Sequence, residues 1–203
     1  MVKVFVAHPQ RLVCVALKDI LEKFGDICPV GVSCDFAGAE EALVSGEVEI
    51  FLTSDRLADL TGVSVLKKIK AEYPGVQVVF YRLGCGSALF DYMAARHGAA
   101  AVLPAECGYS ELVDTVRRIA QGQLAPMQMR MTGRCRKLSR REMDVLAGIL
   151  EGKTLGQTAK MLDINEKTVS TYKNRLFHKL GVKSTVELVG MYNYGEGAEA
   201  LFQ

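Results

Sequence analysis

A regular alternation of short apolar runs with helix-period runs fills the first 120 or so residues and then stops. VKVFVA at 2–7 reads as a buried strand. Leu12, Val13, Ala16, Leu17, Ile20 and Leu21 then recur at helical spacing up to Gly25. The pattern repeats as strands at 27–33, 48–53, 76–81 and 99–103 and helices at 37–45, 63–73, 87–97 and 109–122. Five strand–helix units in a row predict a doubly wound parallel sheet with helices on both faces. Such a sheet places its working residues at the carboxyl ends of its strands.

From Gly122 to Lys137 the chain reads GQLAPMQMRMTGRCRK, with no clear period, which fits a linker. Beyond it the alternation does not return. Residues 138–151, 154–162, 166–180 and 184–193 read as four short helices, and Gly152 and Gly181 end two of them. The expected division is therefore an α/β domain over 1–121, a linker over 122–137, an all-α domain over 138–195 and a tail over 196–203. Glu199-Ala200-Leu201-Phe202-Gln203 has the look of what a viral 3C-type protease leaves after tag removal, and it is set aside here.

Composition removes several classes. Hydrophobic residues make up 49% and charged residues 24%, which excludes a wholly disordered chain. No apolar run reaches the length of a transmembrane helix, and the short apolar run after Lys3, Val4 to Ala7, is too short for a signal-peptide core. No membrane association is expected. Cysteines at 14, 28, 34, 85, 107 and 135 form no CxxC pair, which argues against a disulfide scaffold and a paired-cysteine zinc site. A cytoplasmic setting is expected, with no metal and no cofactor. Charge is uneven. Residues 1–126 carry 12 Lys and Arg against 15 Asp and Glu, a net −3, whereas residues 134–183 carry 12 against 5, a net +7. The basic half is the one expected to meet an anionic polymer.

Residues 154–176 have helix-turn-helix logic. Ala159 is small where two helices must approach, Leu162 and Ile164 bracket the turn, and Asn165 is placed to cap the next helix. Val169, Leu176 and Leu180 share one face of that helix. The opposite face presents Lys167, Ser170, Thr171, Lys173, Asn174 and Arg175, with Tyr172 close by, side chains suited to phosphates and base edges. The runs LSRREMDVL at 138–146 and TVSTYKNRLFHKLGV at 168–182 resemble the four-helix LuxR/NarL-type DNA-binding domain. The resemblance covers 138–190, and Thr168–Lys173 is most similar to the BvgA-like branch. It implies that Ser170, Thr171 and Asn174 face bases in the major groove. Lys167, Tyr172, Lys173, Arg175 and Lys179 would then meet phosphates, with Thr168 in the same binding set. It further implies a homodimer on inverted-repeat half-sites of double-stranded DNA. Val186, Val189 and Met191 on the last helix are candidates for pairing, and they fit a core role equally well. RNA polymerase or another regulator is a further candidate partner. The plainer reading of this charged face is a solvated bundle helix.

Ahead of such a domain, five strand–helix units resemble the receiver of a NarL/FixJ-type response regulator. GVSVLKKI at 62–69, Tyr73-Pro74 and Gly98-Ala99-Ala100 are the better local matches. A working receiver needs an acid pair for Mg²⁺, a phosphoacceptor carboxylate, a hydroxyl and a Lys. Here His8-Pro9 replaces the acid pair. Ser54 holds the phosphoacceptor position with Asp55 beside it, Arg82 stands at the hydroxyl position and Ala105 at the Lys position. No Lys occurs between Lys70 and Lys137. The resemblance therefore implies a degenerate receiver that regulates and dimerises without phosphorylation. Conventional phosphorylation of Asp55, or sensing of a small ligand or redox state, stands as an alternative. Arg82 either reaches Asp55 or is an exposed loop residue. Cys85 and Cys107 form a candidate thiol switch, against two simply packed thiols. With three His at 8, 97 and 178 spread over the chain, no catalytic constellation is visible, and the chain is not expected to be an enzyme.

Overall fold

A computed structural model describes residues 1–82, 88–104, 106–123 and 138–194, excluding the side chains of 88, 89 and 191–194. The chain divides into two compact units, one within residues 1–129 and one mainly within 130–203. The expected linker falls outside the described residues except for Gly122 and Gln123.

The first unit alternates β1 (Val2–Ala7), α1 (Arg11–Glu22), β2 (Ile27–Ser33), α2 (Ala37–Val44), β3 (Ile50–Thr53), α3 (Gly62–Glu72), β4 (Gln77–Tyr81), α4 (Ala88–Arg96), β5 (Ala101–Leu103) and α5 (Tyr109–Ala120). The strands form one parallel sheet in the order β2-β1-β3-β4-β5. The order reverses between β1 and β3, and crevices at such switch points are where doubly wound sheets hold ligands. His8 and Ser54 follow these two strands.

Strand alternation sends successive side chains to opposite faces. On one face Val4, Val6, Ile50, Leu52 and Val79 meet Leu17 and Leu21 of α1 and Leu112, Val113, Val116 and Ile119 of α5. On the other, Phe5 stacks on Phe51 at 5.7 Å, Phe36 tilts against Phe51, and Phe80 meets Phe90 of α4 edge-on at 4.9 Å. An exposed Asp26–Arg117 ion pair, 2.7 Å, links the α1–β2 turn to α5. Gly62 opens α3 where only glycine fits, because a Cβ there would sit 2.8 Å from the Asp55 carbonyl oxygen.

The second unit holds α6 (Arg140–Leu150), α7 (Leu155–Leu162), α8 (Glu166–Leu180) and α9 (Thr185–Tyr194). Two capping boxes start α6 and α7, Ser139 with Glu142 and Thr154 with Gln157. Asn165 caps α8 by accepting from the Lys167 N–H, and Gly181 ends it in the left-handed region at φ 73°. Val145, Ala159 and Val169 form a small core joining α6, α7 and α8. Gly148 lets α6 approach α7, since a Cβ would lie 2.8 Å from Thr158 Oγ1. No helix among the described residues is long and apolar enough to cross a membrane.

Candidate nucleic-acid interface

α7, a tight turn and α8 make the helix-turn-helix. Asp163 adopts the left-handed conformation, φ 52° and ψ 51°, which ends α7 sharply and lets α8 start three residues later. Val169, Leu176 and Leu180 are buried and fix the inner face of α8. That leaves Lys167, Thr168, Thr171, Asn174, Arg175 and Lys179 exposed along its outer side, with Ser170 and Lys173 half-buried. Thr171 donates its hydroxyl to the Lys167 carbonyl at 3.0 Å. The Lys173 ammonium lies 5.2 Å from the centre of the Phe177 ring. Half-buried Tyr172 packs against the three-helix core. Lys179 pairs at 2.7 Å with Glu142, whose side chain is only 3% exposed. Lys179 therefore holds α8 to α6 besides presenting charge. Among the residues named as pairing candidates, Val186 is 82% exposed and Val189 half-buried, while the Met191 side chain lies outside the described residues.

Several side chains of the receiver-like pocket are buried or turned onto neighbouring backbone. His8 is buried after β1, and its Nδ1 accepts from the Gln10 N–H at 3.1 Å. Burial lowers its pKa against the raising influence of the Gln10 contact and the Asp55 charge. Pro9 is exposed. Ser54 is buried, and its hydroxyl turns back to the Arg56 carbonyl. Asp55 is exposed. Arg82 departs from both sequence expectations. It is neither exposed nor paired with Asp55. It is 6% exposed, and its Nη1 sits 3.0 Å from Asp91 Oδ1 on α4. The reason is geometric: Asp91 lies half-buried over the end of β4, whereas Asp55 faces solvent. Burial pushes the Asp91 carboxyl up, partly offset by Arg82. The pair is close but poorly aligned, since Arg82 Nε and Nη1 and Asp91 Oδ1 all lack hydrogen-bond partners. Ala105 and Cys85 lie outside the described residues. Cys107 is buried, and burial together with Glu111 pushes its thiol up to about 11, so it is protonated at neutral pH. Among the described residues no cluster of three or more His, Cys, Asp or Glu is placed to hold a metal ion. Asp91 was not legible as Arg82's partner, because only the fold brings β4 and α4 together.

Residues 136–192 match the family described as bacterial regulatory proteins, luxR family. The chain is 28% identical over 194 residues to the DNA-binding transcriptional activator EvgA of Escherichia coli K12, covering 89% of this chain and 91% of the relative. It is 23% identical over 201 residues to the response regulator UvrY of the same strain, covering 93% and 92%. Among solved structures, RcsB from Salmonella enterica serovar Typhimurium bound to the promoter P1flhDC superposes with a TM-score of 0.63 at 18% identity, covering 94% of this chain and 97% of that one. The receiver domain of NarL from Mycobacterium tuberculosis covers 60% of this chain at a TM-score of 0.55 and 24% identity. With residues 136–192 matching the luxR family behind a five-stranded receiver-like sheet, the chain is similar in both units to the NarL/FixJ-type response regulators.

Proposed function

We propose that the chain is a sequence-specific transcription regulator that binds inverted-repeat DNA as a homodimer and needs no phosphorylation. The observation that carries the DNA reading is the outer side of α8, where Lys167, Thr171, Asn174 and Arg175 stand exposed on a helix fixed by buried Val169, Leu176 and Leu180. Base-reading and phosphate-binding side chains share that side. The relatives named above as a DNA-binding activator and a response regulator favour the same reading. Phosphorylation independence is supported by His8-Pro9 in place of the acid pair and by the Arg82–Asp91 pair at the end of β4. The first unit, over 1–121, serves in this reading as the dimerising and regulatory domain, and 138–195 as the reader. The chain acts as no enzyme and works in the cytoplasm.

Capture of sheared genomic DNA by the purified full chain, with and without acetyl phosphate, tests this. The expected result is sharp peaks over one inverted repeat, unchanged by the donor. Peaks that need the donor, and vanish again in Asp55→Asn, overturn the phosphate-free reading and make Asp55 a phosphoacceptor. Diffuse binding in both conditions overturns sequence-specific reading.

A further inference from the structure

Two cysteines come together at the carboxyl edge of the sheet, where the receiver's acid pair is missing. Cys14 lies on the inner face of α1 and is fully buried. Its thiol donates to the His8 carbonyl after β1 and to the Ser33 carbonyl at the end of β2, both at 3.2 Å. Cys34 follows Ser33 directly and is half-buried, so the Cys14 thiol lies against the carbonyl that is amide-bonded to Cys34. Both are free thiols. One cysteine is thus partly open to solvent, and the other's thiol is held beside its backbone from inside the core.

We propose that Cys14 and Cys34 are an oxidisable dithiol, a modification site that hydroperoxides close to a disulfide. Cys34 as its thiolate attacks a peroxide oxygen. An S–O bond forms, the O–O bond breaks, and the departing hydroxide takes up a proton to become water. The Cys14 sulfur then attacks the Cys34 sulfenic sulfur. An S–S bond forms, the S–O bond breaks, and the hydroxyl leaves as water with the Cys14 proton. Two electrons pass from the thiols to the peroxide. Burial pushes the Cys14 thiol up, so the second step speeds as pH rises. The bridge ties the first half of α1 to the chain leaving β2, and in a reducing cytoplasm such bonds form transiently. This site does not rest on the DNA reading.

The test treats the full chain with a few equivalents of hydrogen peroxide, alkylates under denaturing conditions, digests with trypsin without reductant and maps peptides by mass. The expected product joins Leu12–Lys18 to Phe24–Arg56, lighter by two hydrogens than the separate peptides, and dithiothreitol abolishes it. Cys28 shares the second peptide, so two variants assign the bond. Cys28→Ser keeps the link, and Cys34→Ser, at a half-buried position, loses it. A link that survives in Cys34→Ser overturns the proposal. So does Cys14 that stays alkylated while Cys34 carries oxygen or pairs elsewhere.

Discussion

Glu142 accepts from the Ser139 N–H at 2.6 Å and from the Lys179 ammonium at 2.7 Å while nearly wholly buried. Burial pushes its carboxyl up, but these hydrogen bonds outweigh it and hold the carboxyl below the ordinary glutamate range. A depressed folded pKa adds stability above the unfolded value, and that stability is lost as pH falls through the folded one. Lys179 is partly open to water, which limits the gain. Glu142→Gln is therefore expected to cost about 1–2 kcal/mol at neutral pH, with the gap to the parent chain closing below about pH 4. Urea unfolding from neutral to acid pH checks this, and a gap that persists in acid overturns it. On α8, Arg175→Ala is expected to weaken all DNA alike and to flatten the log–log salt slope by roughly 0.9. Asn174→Ala is expected instead to change the preferred sequence in a binding selection. The exposure of both follows from helical spacing alone. Lys179 lies on the same exposed side, but its bond to Glu142 spans 37 positions, so its structural role was not legible.

Secondary elements were legible wherever local pattern decides them. The caps at Asn165 and Gly181 and the α8 span needed only nearby residues. Strand lengths were less so. The apolar runs suggested strands at 48–53 and 99–103, whereas β3 begins at Ile50 and β5 at Ala101. Apolarity marks burial, but a strand lasts only as long as its partner pairs with it. β5, for example, pairs with β4 only from Val79 opposite Ala101 to Tyr81 opposite Leu103. The clamp between β4 and α4 is likewise a product of the fold. Arg82→Met leaves Asp91 half-buried without its cation, and is expected to cost about 2–3 kcal/mol. Adding Asp91→Leu replaces the pair by apolar contact and is expected to recover part of that loss. Chemical unfolding of both variants decides this, and a double variant less stable than the single one sinks the account.

At the scale of the whole molecule, the change from alternating to purely helical pattern and the swing from net −3 to net +7 made two units visible before any coordinate. A face for the proposed pairing of copies was not legible, because a dimer face resembles any solvated surface with stray apolar residues. The structure supplies one candidate. Leu12 is 80% exposed on α1 and Tyr109 64% exposed at the start of α5, two helices packed on the same side of the sheet. If this face pairs the copies, Leu12→Glu is expected to shift sedimentation from dimer to monomer. Binding to paired half-sites then drops roughly tenfold or more, while binding to a single half-site holds. Unchanged sedimentation places the pairing elsewhere. The Arg82–Asp91 pair has a last consequence, in time. An acyl phosphate hydrolyses, so a carboxylate that carries one keeps a clock. An ion pair has no such lifetime. In the phosphate-free reading the chain holds no timer, and the duration of its effect on a gene is set by how fast the cell makes and removes the chain.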